Sequence, residues 1–427
     1  MSNAAGVKNV RIDGSGFEAA ICAAFLAWAG KLIGFQVYGD ITTASGDAPV
    51  IAGPRSLDLF RKMGLSERDL IKACAGTFVC GAKISTPNEN APGFYPFITN
   101  APVPDGVALN QIYNAAKSTN FHYADLFAPT HMARTGAFSH PVEGDAYRYS
   151  LVLDAAQLED YLMRAAHHYG FRDQAQNQAK VKEDDLIFKV SAPNREDRAE
   201  VTVKPDVSMP SCMSHEISAK GKLNHIANTQ THSFTSTYSV SPTHATSHQI
   251  QVWQDRVINP SGALEVLLPL DHCYLDALSH MLLTLFDIWP SSLDFGLIRR
   301  EFNRRSESFC ARASDYQNTP FLAAKVVLNE AVSSEMQVKW RQFMARGRLV
   351  SYDDEPVSDA EWTAYFLALD LKPERTDPLA GKFSATQISQ ILSRCRDAAQ
   401  IRAAELTPQS EYLDRASALH HLEKVTA

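Results

Sequence analysis

The chain opens on an alternation that fits a short half-buried strand, "VKNVRI" (7–12), and then turns abruptly to a helical rhythm. Residues 17–29 are Ala-rich, with Phe17, Ile21, Phe25 and Trp28 at apolar positions, and predict a helix. "GFQVYGD" (34–40) predicts a second strand, so the first forty residues form a βαβ unit, its strands parallel. "SLDLFRKMGL" and "SERDLIKACAGTF" read as two helices, with Ser66 as the N-cap of the second. Residues 86–106 are punctuated by Pro and Gly and read as loop. A strand running into an amphipathic helix follows over 146–172, where Leu158, Tyr161, Leu162 and Ala165 share a face.

The stretch 173–260 breaks this pattern. It is polar and rich in Thr, Ser and His, with strand-like runs at 185–190 and 199–204. From 264 onward helical periodicity dominates, over 271–288, 293–312, 330–345, 358–370 and 385–405. The order predicts an α/β fold of the flavoprotein type, with a Rossmann-like βαβ start, a β-rich middle and a helical C-terminal lobe. On this reading residues 1–263 form the cofactor- and substrate-binding region and 264–427 the lobe packed on it.

Composition narrows the function only by exclusion. The 427 residues are 45% hydrophobic and 21% charged, an ordinary globular balance. With 41 basic and 48 acidic residues the net charge is −7, so no nucleic-acid partner is expected. No uninterrupted apolar run approaches the ~18 residues of a membrane span, and no signal peptide is read at the N-terminus. The seven cysteines are scattered without a C-x-x-C, which fits reduced thiols and a cytoplasmic location.

The chemistry begins at "DGSGFEA". Gly14, Gly16 and Ala19 have G-x-G-x-x-A spacing, the pattern that lets backbone amides approach a pyrophosphate at a helix N-terminus. Asp40, at the end of the second strand, stands where a ribose-binding carboxylate is placed. Asp13 puts a further carboxylate at the mouth of that loop and opposes an anionic ligand. His225, His232, His244 and His248 invite a metal reading, but only His244 and His248 stand four apart and "HATSH" has no Glu. No metal is expected.

Several stretches taken in order resemble the flavin-dependent tryptophan halogenases. They are the strand-turn-helix start, "RSLDLFRKMGLSERDLIKACAGTFVCGAKI" (55–84), "YRYSLVLDAAQLEDYLMRAA" (147–166), "LLPLDHCYLDALSHMLLTLFDIWP" (267–290), "FNRRSESFCARASDYQNTPF" (302–321) and "LTPQSEYL" (406–413). The resemblance implies reduced FAD supplied by a separate flavin reductase, oxygen, chloride or bromide, and an indole or peptide-borne tryptophan as substrate. The family's catalytic lysine lies in a Phe-Lys-x-x-x-Lys-like pattern, with Lys83 of "FVCGAKI" as its counterpart here. The family's glutamate falls at Asp271, one methylene shorter. The halide turn corresponds to Cys273 and Tyr274, and the aromatic substrate walls to Tyr95 and Phe97 of "FYPF".

Three departures accompany the resemblance. The family's Trp-x-Trp-x-Ile-Pro motif is missing, and "STYSVSP" (236–242) is the nearest stretch. The middle region is short. Tyr274 stands where the halide turn has Gly. Two further readings therefore stay open: a non-catalytic member that binds a ligand or partner, and a flavin monooxygenase that uses no halide. A homodimer is also left open.

Overall fold

The structure is a computed structural model. It describes residues 6–44, 46, 49–85, 93–116, 119–173, 185–191, 201–204, 212–217, 222–230, 233–239, 251–269, 271–325 and 332–414. The chain runs through β1 (Asn9–Ser15), α1 (Gly16–Ile33), β2 (Gln36–Thr42), β3 (Pro49–Ala52), α2 (Pro54–Lys62) and α3 (Glu67–Ala73). Then come β4 (Thr77–Val79), β5 (Gly81–Ser85), β6 (Gly93–Pro96), α4 (Leu109–Ala115), α5 (Ala128–Thr135), β7 (Ser150–Asp154) and α6 (Ala155–Tyr169). The middle holds β8 (Arg172–Asp173), β9 (Asp185–Val190), β10 (Val201–Lys204), β11 (Met213–Ile217), β12 (Lys222–Asn228), β13 (Ser233–Ser239), β14 (Trp253–Gln254) and β15 (Val257–Ile258). Six helices follow: α7 (Pro260–Leu264), α8 (His272–Asp287), α9 (Gly296–Ala323), α10 (Ser334–Arg346), α11 (Asp359–Ala368) and α12 (Ala385–Ala404).

The chain divides into two compact units, and they interleave rather than meet at residue 263. The first comprises 1–76, 152–196 and 247–314, the second 77–151, 197–246 and 315–427. The C-terminal helices are accordingly shared out. α7 and α8 belong to the first unit, and α10, α11 and α12 to the second. Sequence periodicity located these helices but could not assign them to a core.

The first unit is built on a six-stranded sheet ordered β14-β15-β9-β1-β2-β8. β1 pairs in parallel with β2 and with β9, so the predicted βαβ unit is present with its strands side by side. Val10 and Ile12 of β1 are fully buried, as is the run Ala19–Ala24 of α1. α1 is apolar enough by length and composition to cross a membrane, yet 72% of that stretch is buried inside the molecule. Its small alanines let it pack closely against α6.

The glycines at the start of α1 have reasons in packing alone. A Cβ on Gly14 would lie 1.8 Å from the Val190 carbonyl oxygen on β9 and 3.1 Å from the Ala19 Cβ. Gly16 has φ +75°, a conformation that disfavours side chains, and this turns the strand into the helix.

The second unit contains the sheet β10-β13-β12-β11-β5-β6, antiparallel except for the parallel pair β11–β5. Burial alternates along β12, with Leu223, His225 and Ala227 inside and Lys222 and Ile226 outside. One inner face is packed and the other meets solvent, the usual antiparallel arrangement.

Candidate active site

The turn from β1 into α1 is where a dinucleotide-binding site would be expected, and Gly14, Gly16 and Ala19 occupy it as the spacing predicts. Asp40 is exposed on β2, directly opposite Asp13 in the strand register. Asp13 is held by its own strand: Arg11 Nε donates to its Oδ1 at 2.9 Å. Two carboxylates therefore lie side by side at this sheet end, one of them locally compensated.

A third carboxylate was not flagged by the sequence. Glu18, in the first turn of α1, is only 3% exposed and accepts a 2.8 Å hydrogen bond from the Tyr274 hydroxyl of α8. The Tyr274 ring also meets Phe17 edge-on, with centroids 6.4 Å apart. Tyr274 is 256 positions away in sequence, so no local pattern could have announced this contact.

Asp271 is the N-cap of α8, and its Oδ1 accepts from the Cys273 amide at 2.8 Å. The backbone donor expected to face a halide is thus already bonded to the chain's own carboxylate. Cys273 is fully buried and Tyr274 nearly so. Among the described residues Asp271, His272 and Cys273 bring three metal-type donor atoms within 4.8 Å of one another. They are consecutive residues at a helix start, and the carboxylate already serves as cap.

The head of α2 follows the same rule. Asp276 of α8 accepts from the Ser56 amide at 2.9 Å and from its hydroxyl at 2.6 Å. Arg55 contacts His280 Nδ1 at 3.1 Å and lies over the Phe309 ring, on which His280 is itself stacked. Gly53 is what permits this approach, since a Cβ there would lie 2.5 Å from the Cβ of His272. Helix N-termini present unpaired N–H groups and favour anions. In this unit a protein carboxylate stands in the first turn of α1, and others cap α2 and α8.

The remaining predicted residues belong to the second unit. Lys83 is exposed on β5, on the sheet face opposite buried Ala82 and Ile84. Its register neighbours are Ser214 and Phe94. Burial pushes the Cys212 thiol pKa up, and the Lys83 charge opposes that shift. In the Phe-Lys-x-x-x-Lys pattern Phe78 and Lys83 fill the outer places. The first lysine place is then taken by Val79, which is buried.

Tyr95 and Phe97 are 2% and 1% exposed. Tyr95 packs on Tyr365 at 4.4 Å, and Phe97 lies under the Arg148 guanidinium at 4.5 Å. Arg148 in turn makes a two-pronged bond to buried Glu361, to which the Tyr316 hydroxyl also donates. Phe97 is a wall of this ion pair, Tyr95 packs between the Phe97 and Tyr365 rings, and both are buried. A cavity of about 430 Å³ lies elsewhere in this unit. Pro102, Val103 and Leu379 are among its apolar lining residues, and Gln111, Arg348 and Asp377 among its polar ones.

Of the histidines weighed as metal ligands, His232, His244 and His248 lie outside the described residues, as does the end of "STYSVSP". His225 is described. It is fully buried on β12, opposite His215 of β11, with their Nδ1 atoms 3.4 Å apart.

Comparison with known proteins agrees with the fold. The tryptophan halogenase family model matches residues 9–204. No curated protein matches the sequence. Among solved structures, BrvH, a flavin-dependent halogenase from Brevundimonas sp. BAL3, superposes with a TM-score of 0.81 at 16% identity, covering 96% of this chain and 99% of that one. Xcc4156, a flavin-dependent halogenase from Xanthomonas campestris, gives 0.79 at 15% identity with the same coverage. SttH, a tryptophan 6-halogenase from Streptomyces toxytricini, gives 0.77 at 15%, covering 95% and 99%. The tryptophan halogenase model thus matches the N-terminal part of the chain, residues 9–204, and the chain as a whole carries the flavin-dependent halogenase fold.

Proposed function

We propose that this chain is a non-catalytic member of the family, one that keeps the scaffold to bind a ligand or partner and does not halogenate an arene. The observation that carries this reading is the set of protein carboxylates at the helix starts of the first unit. FAD diphosphate and halide are both anions. Glu18 in the first turn of α1, and the Cys273 amide bonded to Asp271, do not fit them. Val79 at a lysine place, the exposure of Lys83 and the burial of Tyr95 and Phe97 point the same way. The 430 Å³ cavity, lined by both apolar and polar residues, is the place proposed for a small ligand carrying one polar end.

The second reading is flavin-dependent halogenation of a tryptophan- or indole-type aromatic. It is favoured by the family match over residues 9–204 and by the intact Gly14–Gly16–Ala19 turn. It would take reduced FAD from a separate reductase, oxygen, and chloride or bromide. Lys83 and Asp271 would act on the halogenating species, with Tyr95 and Phe97 at the arene. Under either reading the protein is proposed to be cytoplasmic.

The experiment is direct. The purified chain is incubated with FAD, a flavin reductase, NADH, bromide and a panel of indoles and tryptophan peptides, and products are read by mass spectrometry. The expected result is colourless protein and no brominated product. Protein that purifies yellow, or any enzyme-dependent brominated arene, overturns the non-catalytic reading.

A further inference from the structure

We infer that Glu18 and Tyr274 form a built-in plug of the anion position at the head of α1, so that the chain supplies its own anion where a nucleotide diphosphate would bind. Glu18 is the third residue of α1 and Tyr274 the third of α8, so their hydrogen bond joins the first turns of two helices. Both side chains are buried, at 3% and 4% exposure. Phe17 lies edge-on to the same Tyr274 ring and adds an apolar contact to the pair.

One turn along α1, the Cys22 thiol pKa is pushed up strongly by burial and further by the charge of Glu18. An acid in the first turn is favoured by the helix dipole. A diphosphate brought to the head of α1 would meet this carboxyl group in the helix's first turn. The site therefore retains its glycine turn for strand packing while its first turn is taken.

The inference deepens the proposed function by naming what excludes flavin and which ligand class the position would take once freed. The probes are FAD and ADP, titrated by calorimetry into the full chain as wild type, Glu18→Gln, Glu18→Ala and Tyr274→Phe. ADP isolates the diphosphate from the flavin ring. Both Glu18 variants are expected to gain about tenfold or more in affinity for both probes, the scale of removing one nearby charge. Tyr274→Phe retains the carboxylate and is expected to gain less. Thermal melts confirm that each variant is folded, and Glu18→Gln keeps the side chain's shape if Glu18→Ala proves unstable.

Folded Glu18 variants that bind neither probe more tightly than wild type overturn the inference. So does wild-type protein that already holds FAD tightly. The halogenation assay fails or succeeds separately. A wild type that brominates an arene while Glu18→Gln still gains affinity would refute the non-catalytic reading and leave the plug standing.

Discussion

Acid should loosen the second unit through one histidine pair. His215 and His225 face each other across β11 and β12, stacked with centroids 5.0 Å apart, and are 7% and 0% exposed. Met213, Leu223 and Ala227, on the same strands, are equally buried, so the pair sits in an apolar layer. Burial pushes the His215 pKa from 6.5 down to about 4. His225 is pushed well below its ordinary value, by burial first and then by the charge of His215. The sign follows from linkage. The unfolded chain binds protons near pH 6.5 that the folded chain refuses, so stability is full above that pH and falls as pH drops toward 4. For His215 the gap caps the loss at about 3 kcal/mol, of which about 2 kcal/mol has gone by pH 5.

The assay is urea unfolding at pH 8 and pH 5 of wild type, His215→Leu and His225→Leu. Leucine changes packing at both pH values, so the informative quantity is the drop between them. His215→Leu should lose about 2 kcal/mol less than wild type over that interval, and His225→Leu should also lose less than wild type. Asp315, whose carboxyl pKa burial raises to about 6, acts with the opposite sign below pH 6. It is common to all three proteins and cancels. Equal drops in wild type and both variants would show that these rings are not what acid attacks.

Two further outcomes follow from pairings already described. Glu361→Gln removes one partner of the buried Arg148–Glu361 bridge, whose side chains are 11% and 0% exposed, and should lower stability by about 3 kcal/mol or more in denaturant melts. An unchanged midpoint would mean the bridge is dispensable. Asp13→Gly should raise FAD affinity less than Glu18→Ala does, because Arg11 already neutralises Asp13, whose side chain is 31% exposed. The reverse ranking in the same titration would shift the obstruction to Asp13.

The sequence made the βαβ start legible because a period-2 run, an Ala-rich helical run and a glycine turn all agree locally. The second predicted helix shows where local reading stops. Its pattern was carried through Thr77 and Phe78, but α3 ends at Ala73. Ala75 has φ +49°, and the Gly76 amide bonds back to Ile71, closing the helix before β4 begins. "Ala-Gly" was a stop signal read as helix interior. The resemblance makes Tyr95 and Phe97, in a Pro-rich stretch, aromatic walls for a substrate, yet both are buried. Their neighbours Tyr365 and Glu361 arrive from α11, more than 250 positions later, and a ring's burial is decided by such partners. The parallel pairing of β5 with β11 is equally non-local and was not predicted.

The glycine motif was the strongest functional signal in the chain, and its glycines have packing roles that are independent of any ligand. Gly14 is required by the backbone of β9 and by Ala19, and Gly16 by a positive φ; neither requirement involves a phosphate. A substitution at either position would strain the sheet whether or not a cofactor binds, so folding alone maintains both. Glu18 is under no such constraint. Its partner is a tyrosine on another helix, and the pair takes no part in the registers of β1 with β2 and β9. Residues that shape the backbone of a site and residues that set its charge are thus held by different forces. Glycine spacing reports the first. Only the acids around it report the second, and in this chain those acids argue against an anionic ligand.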